Sequence, residues 1–450
     1  MHHRIVSILH RLKQEPAREL DRPAIVETCR QVKHSWRAGL LDPVATVHLF
    51  LTQILHGNTA INHLPRLSGQ QFTDSAYCQA RARLPLELFR RLVRRVATRL
   101  RAAVEDAGTW RGHRVFVADG SSFSMPDTPE LREHFGQPRG QRPGCGFPVA
   151  HLLALFHVGT GMLLEVLTGR LFTHDMSGVA QLHPQLRPGD VLLGDRGLCS
   201  FAHLALLVAR GVQGVFRMHQ RQIVDFTPHR PHVWPGERKA PKGRPHSRWL
   251  RRLGVTDQLV AWLKPKERPE WMTAEQYGSL PEELVVRELR YRTNRPGFRV
   301  RAVTLVTTLL DAALYPVEAL ASLYRARWHV ELNLRHLKTT MKMDVLRCET
   351  VAGVSKELLM YALVYNLVRL VMVEASRRQG VVVDRISFVD ALRWLAEARP
   401  GETLPRLVVN PDRPDRVEPR VRKRRPKQYP LMTKPRSELR KALLEQGVTS

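Results

Sequence analysis

Three acidic residues, far apart in the chain, stand where a fold could bring them together. Asp119 follows the apolar run Val115-Phe116-Val117-Ala118 and precedes Gly120. Asp195 follows Val191-Leu192-Leu193-Gly194, with Gly197 two places on. Each reads as a buried strand that ends in an acid and a turn. Glu331 lies in a helical stretch from Val317 to Met343. Carboxylates gathered from distant positions suit a hard divalent cation such as Mg2+, which takes a few of them and keeps water or phosphate oxygen as its other ligands. Singly, an aspartate after an apolar strand is a common turn residue, so neither aspartate identifies a site alone.

The helix around Glu331 says more. Tyr324, Arg327, Glu331 and Lys338 follow one another by 3, 4 and 7 residues. At about 3.6 residues per turn all four fall on one face. An ion-paired surface would account for the charges, because Arg327 and Arg335 flank Glu331 at four residues on either side. It does not account for the tyrosine, or for Trp328, Val330, Leu332, Leu334 and Leu337, which call for packing on both flanks. His174 and Asp175 are minor candidates, and Asp175 is the rival to either aspartate.

The charge balance names a partner class. Lys and Arg number 71 against 42 Asp and Glu, a formal charge of +29. Such self-repulsion is tolerated when a polyanion neutralises it, and nucleic acid is the commonest one. A hydrophobic fraction of 43% is ordinary and argues against wholesale disorder. Five cysteines without a CxxC pair exclude a disulfide framework and a zinc knuckle, and fit a reducing cytosol. The N-terminus lacks the apolar core of a signal peptide. The most apolar helix, Leu358 to Val373, is short for a membrane span and interrupted by Asn366 and Arg369. It reads as a buried core helix, with no membrane partner.

The elements that must position the acids follow from periodicity. Residues 1–110 read as helical, with a capped start at Thr73-Asp74 and a helix after Pro85. That helix sets Leu88, Leu92 and Val96 opposite Arg90, Arg91, Arg94 and Arg95. Its arginine face suits a DNA backbone or simply solvent. From Arg114 the order is strand, hairpin around Gly159-Thr160-Gly161, strand, helix (Phe201 to Arg210) and a short strand (Gly214 to Met218). Residues 220–309 read as a β-rich insertion. Its first part is a mobile basic loop, and strands follow at Gln258–Leu263, Leu284–Arg292 and Phe298–Thr308. It carries Trp234, Trp249, Trp262 and Trp271, any of which could stack on a flipped base or simply fill a core. Helices resume from Pro316, including Ile386 to Glu397. The basic run from Pro419 to Lys427 must stay solvated or meet an anion.

With these residues in view, the chain resembles the DDE transposases of bacterial insertion sequences, in the branch with a Tyr-x2-Arg-x3-Glu-x6-Lys signature. Here that signature is YRARWHVELNLRHLK, with Tyr324, Arg327, Glu331 and Lys338 in register. VFVADGSS resembles the family's strand-Asp-Gly motif and LLGDRGLCS its strand-Asp-x-Gly motif. VTTLLDAALYPVEALASLYRARW is similar to the approach to the third acid, and RKRRPKQYP to the C-terminal end. The resemblance covers about residues 70 to 435. One departure stands out: Cys199 follows Leu198 where the family often has an aromatic residue.

The resemblance implies an α/β fold. This is an RNase H-like mixed sheet flanked by helices and interrupted by a β-rich insertion, with a helical N-terminal domain and a helical C-terminal region. The expected division is a DNA-binding helical domain at 1–110, core at 111–219, insertion at 220–309, core again at 310–375, and a helical region with a basic tail at 376–450. It implies metal-dependent cleavage at transposon ends and transfer of the 3′-OH into target DNA, in some relatives through a hairpin. Asp119, Asp195 and Glu331 would be catalytic and hold two Mg2+ ions, with Mn2+ able to substitute and Asp119 bridging both. Tyr324, Arg327 and Lys338 would hold DNA phosphates. Expected partners are double-stranded DNA (terminal inverted repeats and target) and a second copy in a DNA-bound homodimer, in the bacterial cytoplasm with the nucleoid. Two rival readings are an inactive DNA-binding derivative of a transposase and an RNase H-like nuclease that only hydrolyses.

Overall fold

The computed structural model describes residues 20–105, 109–138, 144–171, 175–230, 244–292, 302–398, 402–412 and 432–445. His174, Trp234, the side chain of Asp175, the middle of the basic loop and the run Pro419–Lys427 lie outside the described residues.

The chain begins with helices α1 (Arg22–Gln31), α2 (Pro43–Leu55), α3 (Leu64–Ser68), α4 (Asp74–Arg83) and α5 (Leu86–Glu105). Local chemistry sets their starts. Asp42 accepts from the Ala45 N–H with Pro43 in the first turn, and Thr73 accepts from the Ala76 N–H. On α5, Leu88, Leu92 and Val96 are fully buried. Part of its arginine face is used internally: Arg91 reaches Gln31 and Arg95 reaches Thr28, both on α1.

Next come β1 (Val115–Ser124), α6 (Pro129–Phe135), β2 (Val149–His157), β3 (Leu163–Arg170), α7 (Asp175–Leu182), β4 (Val191–Gly194), α8 (Phe201–Ala209) and β5 (Gln213–Arg217). Then follow β6 (Ser247–Gly254), β7 (Asp257–Leu263), α9 (Ala274–Gly278), β8 (Glu283–Arg292) and β9 (Ala302–Thr307). The nine strands form one sheet in the order β3-β2-β1-β4-β5-β9-β8-β7-β6. β1, β4 and β5 are parallel, and the antiparallel β2 and β3 lie on the far side of β1. That order and polarity are those of an RNase H-like sheet. The later strands extend it through the β5–β9 pair.

Two expectations need correction. β1 does not end at Asp119; it runs on to Ser124 because β2 pairs with it along its whole length, Asp119 opposite Ala154. The stretch before residue 252 is not all loop either, since β6 begins at Ser247. β6 is an edge strand with two register shifts and outward arginines, features that blunt an edge against further pairing and hide the period-2 pattern.

The last elements are α10 (Val317–Ala326), α11 (His329–Arg335), a π-helical turn (His336–Thr340), α12 (Val351–Gln379), α13 (Phe388–Glu397) and α14 (Arg436–Glu445). Strand alternation divides the sheet between two cores. Val115, Val117, Val191, Leu193 and Val215 face a core shared with α1, α2, α5 and α10 to α13. Phe116, Ala118, Leu192 and Phe216 face another with α7 and α8. α12 is long and apolar enough to cross a membrane, but 89% of its apolar window is buried inside the protein. Its polar residues have partners there. Asn366 pairs with both backbone groups of Leu163, and Arg369 donates to the Thr160 carbonyl at the β2–β3 turn. Gly161 at that turn has φ +66°, and a Cβ there would overlap the Arg369 guanidinium.

Candidate active site

The strand register brings Asp119 and Asp195 side by side. β1 and β4 run parallel, with Val117 opposite Leu193. β4 stops at Gly194, and continuing the register by two places sets Asp195 beside Asp119. Asp119 shares the parity of Val117 and points to the face covered by α10 to α12, and Asp195, in the turn after β4, lies within electrostatic reach of Asp119 and Tyr324. The carboxyl ends of parallel strands, where one strand stops and its neighbour runs on, are where open α/β sheets bind ligands. Asp195 is fixed by its own turn: Oδ1 accepts from the N–H groups of Gly197, at 2.8 Å, and Leu198, at 3.2 Å. A Cβ on Gly197 would lie 3.1 Å from that oxygen, so glycine lets the turn close tightly on the carboxylate.

Glu331 reaches the same place from α11, which packs on β1. The expected single helix is jointed here. Arg327, Trp328, Val330 and Glu331 each donate their backbone N–H to the carbonyl three residues back, a tight 3₁₀ pattern, and a π turn follows at His336. Such mid-helix departures mark strained or functional segments. They rotate Arg327 inward. Its guanidinium lies 3.5 Å from Asp119 Oδ2 and 3.3 Å from Glu331 Oε1. Arg327 is 11% exposed, Asp119 21% and Glu331 48%. Tyr324 is buried, and its ring lies 5.9 Å from the Arg327 guanidinium carbon. Lys338, on the π turn, makes no ion pair with the three acids among the described residues.

The electrostatics are those of crowded anions. Burial pushes the Asp119 carboxyl up to about 6, with repulsion from Asp195 and Glu331 adding to the rise and Arg327 and the Gly120 N–H opposing it. Burial likewise pushes the Tyr324 phenol up, so it stays neutral. Among the described residues no three His, Cys, Asp or Glu side chains lie close enough to hold a metal ion as they stand. Asp119 and Glu331 are instead bridged by Arg327.

Comparison with known proteins bears on this arrangement. The family model of the transposase DDE domain matches residues 110–367, a span that contains all three acids and the whole jointed helix. The chain belongs to that family. The transposase is 29% identical over 382 residues to the transposase InsG for insertion sequence element IS4 of Escherichia coli K12, covering 80% of this chain and 78% of InsG. It is 31% identical over 134 residues to the putative transposase InsZ of the same organism, covering 30% of this chain and 42% of InsZ. Among solved structures, the piggyBac transposase synaptic complex with hairpin DNA aligns with a TM-score of 0.41 at 12% identity, over 85% of this chain and 79% of that one.

Two features of the transposase's site were not evident from sequence. First, His329, two residues before Glu331, gives Nδ1 to Asp384 at 2.8 Å, and the other oxygen of Asp384 accepts from Arg369 at 3.0 Å. The start of α11 is thereby tied to α12. Second, the basic residues Arg196, Arg221 and Arg244 gather around His219, within electrostatic reach of Asp195. Arg196, next to Asp195 in sequence, was an available signal for it. The insertion tryptophans have structural settings. Trp262 is buried and donates to Glu288, Trp271 stacks on His203, and Trp249 packs against His229.

Proposed function

We propose that this transposase cuts DNA at the ends of a mobile element and joins the freed 3′-OH to target DNA, with Asp119, Asp195 and Glu331 as its metal-holding carboxylates. The observation that carries this reading is the Arg327 bridge between Asp119 on β1 and Glu331 on α11, beside the end of the parallel strand β4 that leads to Asp195. The donor set suits a pair of hard cations, Mg2+ or Mn2+, since it is all oxygen and its members repel one another. Arg327 already answers that repulsion for two of the three acids. Asp119, Asp195 and Glu331 would together hold the ions. Bound there, the ions would activate the attacking oxygen and stabilise the leaving one.

The chain's own residues prepare the site. Asp119 must release its proton before it can act as a ligand. Arg327, once turned from the carboxylates, can grip a phosphate with two parallel N–H bonds, while Lys338 acts as a point charge. Tyr324 stays a neutral donor. The helices of residues 1–110 would add DNA contacts, and the helical region after residue 345 would meet a second copy, since two ends must be processed together. The setting is the bacterial cytoplasm, with the nucleoid DNA.

Strand-resolved gels of an end substrate in Mg2+ test the pathway. A hairpin band should appear before blunt ends, and the 3′-OH product should join to a plasmid. Blunt ends with no earlier hairpin would remove the hairpin step. Cleavage that never leads to joining would reduce the protein to a nuclease.

A further inference from the structure

Arg196, Arg221 and Arg244 gather around His219, within electrostatic reach of Asp195. Hydrogen bonds fix their arrangement. The backbone turns at His219–Gln222, where the Gln222 N–H donates to the His219 carbonyl. Arg196 donates to Gln220 at 2.8 Å, which ties this turn to the loop that carries Asp195. Gln222 donates to the Pro245 carbonyl at 2.8 Å, and Arg244 donates to the Cys199 carbonyl at 2.9 Å. The segment entering β6 is thus drawn to the same place. Among the described residues no acid pairs with Arg196, Arg221 or Arg244. Arg221 is exposed, and the other three groups are half-buried.

Like charges held this close repel, and the repulsion is visible. Burial lowers the His219 pKa, and the charges of Arg244, Arg221 and Arg196 lower it further, with Asp195 opposing. The His219 ring also has a fixed partner within the turn. Its Nδ1 accepts the Arg221 N–H at 3.1 Å, which leaves the ring proton on Nε2 as a donor. Three guanidinium groups and one neutral N–H donor, with no acceptor among them, suit a multiply hydrogen-bonded oxyanion.

We propose that Arg196, His219, Arg221 and Arg244 form a phosphate-binding site beside Asp195, which takes backbone phosphates of a DNA strand next to the reacting one. Its residues come from the β4–α8 loop, the turn after β5 and the segment entering β6. The proposal rests on the reading of Asp195 as part of the DNA-processing centre.

The test is the salt dependence of DNA binding, read by fluorescence anisotropy of a labelled duplex in Ca2+. Each phosphate contact contributes a slope of about 0.9 in log affinity against log salt. The double variant R196A/R221A should lose about two such contacts and bind about tenfold or more weaker near 0.15 M salt. R196K/R221K keeps both charges and should keep most of the slope. An unchanged slope in R196A/R221A would overturn the proposal. Two further arms identify the strand. Loss of end cleavage assigns the phosphates to the element's end; loss of plasmid joining alone, from a pre-cut end, assigns them to target DNA. D119A separates the two levels of the account. If D119A nicks normally, the reading of the acids fails. If D119A is inert and R196A/R221A binds as the wild type does, the phosphate site fails.

Discussion

Arg327 bridges Asp119 and Glu331, 3.5 Å from the first carboxylate and 3.3 Å from the second. One cation thereby joins β1 to the helix that carries the third acid. The contact depends on the tight turns between α10 and α11, which swing Arg327 toward β1 while leaving Glu331 half exposed.

Removing that cation should loosen the site. R327Q leaves Asp119 mostly buried with two like charges nearby, and is expected to cost on the order of 1–3 kcal/mol, as for an unsatisfied charged group. Chemical denaturation with and without Mn2+ checks this: the loss should be partly recovered when Mn2+ is present. Equal stability of R327Q and wild type would show that the bridge carries no energy.

Asp119 should be a liability for stability. Its pKa in the fold is about 6, above the ordinary value of 3.8. The folded protein therefore holds a proton that the unfolded chain has released, so stability falls as pH rises from about 4 to about 6 and then levels off. D119N lacks this loss. It should be more stable than wild type at pH 7, by on the order of 2 kcal/mol, with the gap closing below about pH 4. Denaturant midpoints across that range measure it, and a gap independent of pH would contradict the assigned cause.

Asp384 should matter for the opposite reason. Burial alone would raise its pKa, but the His329 hydrogen bond and the Arg369 charge outweigh this and pull it down to about 2. Its contribution is present above about pH 4 and is lost as pH falls toward 2. D384A strands the buried Arg369, a change that typically costs about 3–5 kcal/mol. H329A breaks the tie to α11 without uncovering Arg369 and should cost much less. A thermal-unfolding comparison of the two variants decides it. Equal losses would mean that Arg369 finds another counter-charge.

Gly161 admits no side chain. Its φ of +66° and the closeness of Arg369 mean that G161A must strain the turn or displace the guanidinium from the Thr160 carbonyl. A loss of about 2 kcal/mol or more in unfolding free energy is expected. An unaffected variant would show that the hairpin shifts freely.

Much of this architecture is legible in the sequence, for identifiable reasons. Apolar runs marked β1, β4 and the hairpin, because much of these strands is buried on both faces. Thr73 and Pro85 marked helix starts through capping and φ restriction. The 3-4-7 spacing put Tyr324, Arg327 and Glu331 in one neighbourhood, although the 3₁₀ joint, which no spacing rule encodes, sets where each points. The run-on of β1 past Asp119 was hidden because it depends on the length of its partner strand. β6 was hidden because a charged, bulged edge strand looks like loop. The Asp384–His329 tie joins residues with no periodic relation, and only the tertiary fold sets the turn after α12 beside the start of α11.

The most direct test of the central claim is strand-resolved nicking of an end duplex by D119A, D195A and E331Q in Mg2+. Each variant should bind the duplex as the wild type does, while cleavage falls by about a thousand-fold or more, as expected when residues act as one unit. A variant that folds, binds and still nicks at a wild-type rate would show that its carboxylate is not part of the catalytic centre.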